Sequence, residues 1–230
     1  MYYIFRETIW PSIKAALDHM QMERKTVISA QVRAGINFSI VLGSACYLEG
    51  VLEAGLKAFL DQRRGLYNQL DAKKFETRRS MNMFYSRIEE DLEHRISSAL
   101  GAAGYDEMFE LLIGERLSKL VRVTPIWEGI TVLFQLRNVL GHGREIKALQ
   151  NVSVRPIEEF FSGGYRRAED YLRKRKLLGK KFTEAHSDYI FLSDAVADHF
   201  WQLAKQVPRA ISKSLPKPGK SQFDKAVMRT

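Results

Sequence analysis

Apolar residues recur at three- and four-residue spacings along most of the chain, and no stretch alternates with period two between hairpin turns. The chain therefore reads as all-α: a helical bundle of about four to five core helices, an additional C-terminal helical region and a basic tail. A first helix is expected from near Arg6 to near Lys25, with Pro11 tolerable only close to its start. The longest and most apolar run, about Ser29 to Gln62, carries Ile36, Ile40, Tyr47, Val51 and Phe59, and Gly43, Ser44, Ala45 and Gly50 leave room for a neighbouring helix. Gly65 is expected to mark a turn. A charged helix with one apolar face follows over about Tyr67 to Leu100, then a break at Gly101 to Gly104. A shorter helix is expected from Asp106, its cap, to about Leu120. Thr124-Pro125 opens the next helix, which runs through Ile126, Trp127, Ile130, Leu133 and Phe134 to Leu140, with Gly141 and Gly143 as two places to end it. Lys147 to Gly164 reads as a loop, Tyr165 to Leu178 as a basic helix ended by Gly179, and Asp188 to Val207 as a last amphipathic helix. From Pro208 on, proline, lysine and serine predict a disordered tail. The expected organisation is a helical domain over 1–146, a basic helical extension over 147–207 and a flexible basic tail over 208–230.

Composition narrows the class. Apolar residues make up 45% of the 230, enough for a real core. Cys46 is the single cysteine, so an intrachain disulfide and a metal site built on paired cysteines are both excluded. Met1 to Glu7 lacks the basic-then-apolar order of a signal peptide, and Glu49, Glu53 and Lys57 interrupt the apolar window Ile36 to Leu60. A soluble, cytoplasmic protein without a membrane span is expected. The net charge of +9 is concentrated: residues 163–181 hold eight basic and two acidic side chains, and residues 206–230 hold six and one. Two basic segments on a near-neutral body suit a polyanion such as nucleic acid, with Arg166, Arg167, Arg173, Lys174, Arg175 and Lys176 as candidate contacts. Basic helices also serve merely to solubilise, so charge alone does not decide.

Candidate chemistry lies in Gln135-Leu136-Arg137-Asn138-Val139-Leu140-Gly141-His142-Gly143. At about 100° per residue, Arg137 falls in the middle of the apolar stripe formed by Ile126, Ile130, Leu133, Phe134 and Leu140. A guanidinium there needs a partner or a wet groove. Asn138 and His142 lie on an adjacent face, so on one ideal helix Arg137 and His142 diverge. They converge if the helix loosens at Gly141 or if a two-fold partner supplies a second copy. A purely structural reading pairs Arg137 with Glu49 or Glu53 and makes His142 a helix-end cap. Glu49, Glu53 and Lys57 form a row at four-residue spacing, either a solvated ion-pair row or, for Glu49, a support for the site. His186, Asp188, Asp194, Asp198 and His199 form no recognisable ligand set, and neither a metal nor a cofactor is expected.

The order Arg137-Asn138-Val139-Leu140-Gly141-His142 resembles the Arg-x4-6-His signature of HEPN domains, including the polar residue after the arginine. Ser44-Ala45-Cys46-Tyr47-Leu48-Glu49 is similar to the Leu-Glu part of the long core helix in several HEPN families. The resemblance covers somewhat over half of the chain. It implies a helical bundle that dimerises through its motif helices. It also implies metal-independent endoribonuclease activity of the toxin–antitoxin or phage-defence kind, with an antitoxin or defence protein as partner. Other such domains are non-catalytic and bind nucleic acid or a partner protein. In RNA cleavage through the 2′-OH, His142 would exchange protons, Arg137 would hold the phosphate, and Asn138 would orient the histidine or bind phosphate. Some toxins of this kind carry a modifiable tyrosine two residues after the histidine. Arg144 stands there in this chain, which puts that mode of control in doubt and offers a further phosphate contact.

Overall fold

A computed structural model describes residues 9–67, 75–99, 101–121, 124–141, 163–178 and 191–227. Among them no strand occurs, and the chain is all-α. The helices are α1 (Trp10–Glu23), α2 (Ala30–Tyr67), α3 (Phe75–Ser97), α4 (Gly101–Ile113), α5 (Leu117–Leu120), α6 (Thr124–Gly141), α7 (Gly163–Lys174), α8 (Asp194–Ser214) and α9 (Lys217–Val227), with a 3-10 turn at Arg24–Thr26. They form two compact units, one of residues 1–48 and 124–206, the other of 49–123 and 207–230. This division is not the consecutive one expected from the sequence. Each unit joins segments distant in the chain, and α2 and α8 each contribute to both.

In the first unit, α1 begins with Pro11 in its first turn, where the missing N–H costs nothing. Extended backbone at Val27 separates it from α2. Ser29 Oγ accepts a hydrogen bond from Val32 N at the start of α2. Gly43 is where α1 meets α2: a Cβ there would come within 2.7 Å of Leu17 Cδ2. Tyr47 of α2 makes edge contacts with Trp10 and Trp201, ring centroids 5.7 and 5.2 Å apart, and Trp201 Nε1 donates to Asp18 Oδ1 at 3.0 Å. These buried aromatics tie α1, α2 and α8 together. Helix α6 packs on α7 at Gly129, where a Cβ would approach Tyr171 Oη to 2.5 Å and Leu203 Cδ2 to 2.8 Å.

The second unit continues α2 past the expected turn at Gly65 to Tyr67. One glycine in a helix interior costs about 1 kcal/mol, which cooperative packing of the rest of α2 outweighs. The expected break at Gly101 to Gly104 narrows to Gly101, whose φ of 65° begins α4. Gly114, φ 83°, ends α4 with a hydrogen bond from its N to Glu110 O of 2.9 Å. Asp106 lies inside α4 and does not start it. Its Oδ1 accepts from Ser118 N at 2.7 Å and so caps the short α5.

The largest correction concerns residues 208–230. Helix α8 carries Pro208 in its interior and runs to Ser214, and α9 follows. Val207, Ile211, Leu215, Phe223 and Val227 are buried. Phe223 stacks on Phe59 with centroids 6.3 Å apart and lies against Gly55. Burying a large apolar side chain stabilises by about 1.5–3 kcal/mol. Several such residues outweigh a helix proline, which costs about 3 kcal/mol.

One stretch within α2, Ala30–Gln62, is long and apolar enough to cross a membrane by length and composition, with mean hydropathy 1.4. Half of its most apolar window is buried inside the protein.

Candidate active site

The candidate site begins at the C-terminal end of α6. Ile130, Val132, Leu133, Phe134, Leu136 and Leu140 are buried and fix which face of α6 meets the core. That face is centred roughly 50° from Arg137 on the helical wheel. Arg137 therefore lies inside the buried arc but off its centre, because Val132 and Leu136 widen the arc on one side while Ile130 and Phe134 are buried on the other. Arg137 is half-buried, while Asn138 and Gly141 are exposed. A long side chain in such a place keeps its stem on apolar surface and carries its charge outward. Arg137 Nη1 donates to Asn138 Oδ1 at 3.0 Å. The amide oxygen is thus occupied, and the Asn138 N–H groups are what this exposed side chain can offer an anion. A guanidinium beside amide donors at the surface has the chemistry of a phosphate clamp. The cation also complements the partial negative charge of the helix C-terminus.

His142 and Arg144 lie outside the described residues, as do His186 and Asp188. Glu49 is half-buried on the part of α2 that belongs to the second unit, whereas Arg137 belongs to the first. Glu53 pairs with Lys57 one turn on, and Ser97 Oγ donates to the same Glu53 oxygen at 3.3 Å. The ion-pair reading of that row holds for Glu53 and Lys57.

On α7, Arg167, Arg173, Lys174 and Lys176 are exposed, and Arg173 Nε donates to Glu169 Oε1 at 2.6 Å. The side chain of Arg166 lies outside the description. Arg175, one of the expected RNA contacts, is already engaged within the protein. Its guanidinium carbon sits 3.7 Å over the Tyr171 ring, and Nη2 lies 3.4 Å from Glu128 Oε2. It serves to join α7 to α6, an interaction a nucleic acid would have to displace. The helix also ends earlier than Gly179. Lys176 adopts φ 56°, and Leu177 N bonds to Leu172 O at 3.0 Å in a left-handed termination.

Two polar clusters in the first unit were not legible in the sequence. Arg24, 5% exposed, donates to Asn37 Oδ1 at 2.8 Å and Asp198 Oδ1 at 2.7 Å. Asp194 accepts from Arg33 Nε at 3.0 Å, pairs with Arg33 Nη2 and accepts from Asn37 Nδ2 at 2.9 Å. These bonds, the Arg33 bond first, hold the Asp194 carboxyl below its ordinary pKa despite partial burial, and Asp194 raises that of Arg33. Asp194 and Asp198, one turn apart on α8, are both reached by the Arg24 guanidinium. His199 faces another way: its Nε2 lies 2.8 Å from Tyr171 Oη. Burial, reinforced by Arg175, lowers His199 to about 4, and burial raises Tyr171 to about 12. At neutral pH His199 is uncharged and Tyr171 protonated. No group of three or more potential metal ligands occurs among the described residues. The carboxylate partners of Arg24 and Arg33 lie more than 150 residues away in the chain, so no local pattern announces them.

No protein-family model, curated protein or solved structure matches the chain.

Proposed function

We propose that the chain is a metal-independent endoribonuclease of the HEPN type, a cytoplasmic toxin or phage-defence effector acting as a homodimer. The observation that carries this reading is half-buried Arg137 within the apolar stripe of its helix, bonded to an exposed Asn138 and followed five residues later by His142. In the proposed reaction the 2′-OH of RNA attacks the adjacent phosphorus. The O2′–P bond forms, the P–O5′ bond breaks, and a 2′,3′-cyclic phosphate results. Arg137 and the Asn138 amide hold the non-bridging oxygens as charge builds on them. His142 accepts the 2′-OH proton or returns a proton to the leaving O5′, and the second copy in the dimer supplies the other role. An antitoxin or defence protein would control the activity.

The test is cleavage of RNA in the presence of EDTA. His142→Ala and Arg137→Ala are each expected to slow it by about 10²–10⁴-fold. Identical product profiles from wild type and His142→Ala, or loss of cleavage on chelation, refute the proposal. The exposed cations of α7 favour a second reading, a non-catalytic module that binds nucleic acid or a partner protein. It predicts salt-sensitive RNA binding without products, retained in both variants.

A further inference from the structure

The C-terminal helices of the second unit separate charge from apolar surface. Val207, Pro208, Ile211, Ser212, Leu215, Phe223 and Val227 are buried, while Arg209, Lys213, Lys217, Lys220 and Lys225 are exposed. Arg209 and Lys213 are one turn apart on α8, a rise of about 6 Å. On α9, Lys217, Lys220 and Lys225 fall within about 80° of one direction. Asp224 is the single acid in residues 207–230, and it pairs with Lys220 at 2.7 Å. Lys220 also donates to Ser212 Oγ at 2.6 Å, which links α9 to the end of α8. Arg209, Lys213, Lys217 and Lys225 form no ion pair with any described residue. In the rest of this unit the charges are mixed: residues 49–123 hold thirteen acidic and twelve basic side chains. A face kept only for solubility needs no such segregation, whereas a row of cations at helical spacing suits a row of phosphates.

From this arrangement we propose that the outer face of α8 from Arg209 and of α9 is a docking ridge for the phosphodiester backbone of single-stranded nucleic acid, held by Arg209, Lys213, Lys217 and Lys225. An anionic membrane would use an amphipathic helix with its apolar side available for insertion. Here that side is taken up by packing, with Phe223 stacked on Phe59. The ridge has no aromatic side chain among its cations, so recognition is of the backbone and independent of base sequence. It does not rest on cleavage at Arg137 and His142.

The experiment uses the full chain and a fluorescent 2′-O-methyl RNA 20-mer, which lacks the nucleophilic hydroxyl. Anisotropy is recorded between 50 and 200 mM salt, alongside flotation with phosphatidylserine-containing vesicles. Replacing all four cations by glutamine (Arg209→Gln, Lys213→Gln, Lys217→Gln, Lys225→Gln) is expected to reduce the salt slope by about 3, since each single-strand phosphate contact contributes roughly 0.7. Affinity at low salt should fall at least tenfold. Substituting the three lysines by arginine keeps the charge and should keep the slope, which separates charge from loss of folding. Cleavage is not read, so failure of the endoribonuclease proposal leaves this result intact. Unchanged binding by the glutamine variant, loss of binding in the arginine variant, or wild-type binding to vesicles with none to the oligonucleotide overturns the ridge.

Discussion

Asp194→Ala tests whether the carboxylates at the start of α8 hold the first unit together. The wild-type carboxylate takes a fork from Arg33, an N–H from Asn37 and the field of buried Arg24, whose Nε is 3.7 Å away. After substitution, Arg24 retains Asp198 and Asn37, and Asn37 Nδ2 retains Leu192 O at 2.7 Å. The Arg33 side chain is 43% exposed and can turn to water, so solvent screening leaves its fork little weight. The Asn37 bond to a carboxylate contributes about 1.5 kcal/mol. The charge in the first turn of α8 adds about 0.5 kcal/mol. The Asn37 bond and the charge in the first turn set the expected loss at about 2 kcal/mol, well below the cost of stripping a fully buried charge of every partner. Trp10, Trp127 and Trp201, the three tryptophans, all belong to the first unit, so fluorescence-detected urea unfolding reads that unit directly. Arg33→Ala should cost clearly less than Asp194→Ala. An Asp194→Ala loss below about 0.5 kcal/mol, or an Arg33→Ala loss as large as that of Asp194→Ala, refutes this reasoning.

The other predictions concern pH, close packing and the C-terminal helices. Because His199 titrates near 4 when folded and near 6.5 otherwise, the unfolded chain binds more protons between these values. Unfolding free energy should therefore fall as pH drops from 6.5 to 4, and His199→Gln should flatten that slope in urea titrations at stepped pH. The depressed Asp194 adds a separate loss that appears only below the ordinary carboxylate pKa of 3.8. Gly129→Ala gains about 1 kcal/mol of helix propensity but drives a methyl against Tyr171 Oη and Leu203. With Tyr171 held by His199 and Arg175, overpacking of about 1–3 kcal/mol should win. Adding Tyr171→Phe should relieve part of the clash, and strictly additive losses in the double variant would argue against it. Phe223→Ala should cost about 3–5 kcal/mol and open Lys213 to Lys225 to trypsin. Wild-type cleavage there at the rate of an unstructured peptide would contradict the packed α9.

Periodicity carried the helical class and the core residues of α2 and α6, because those helices bury a continuous apolar face whose spacing survives any tertiary context. It also carried the opening of α6 at Thr124-Pro125, where local backbone chemistry suffices. It failed where a local stop signal was outweighed from elsewhere. Gly65 and Pro208 sit in helices whose burial outweighs the breaker, and Asp106 caps a helix other than the one it was expected to start. The same limit applies at the candidate site. The order of Arg137, Asn138 and His142 was visible in one dimension, yet how far Arg137 is covered and what its guanidinium touches followed from the fold.

The sequence by itself determined that this protein is helical, that its cations are concentrated toward its C-terminal part, and that one short motif has the residue types of phosphate chemistry. These properties depend on local spacing and composition. Only the tertiary structure decided which charges are already engaged. Arg175 is stacked on Tyr171, Asp194 and Asp198 are held by Arg33 and Arg24, and His199 is kept neutral beside Tyr171. It also turned the supposed tail into two packed helices with an exposed cationic face. A charge becomes a tie or a binding group according to what lies within a few ångströms of it, and folding brings those neighbours from far along the chain.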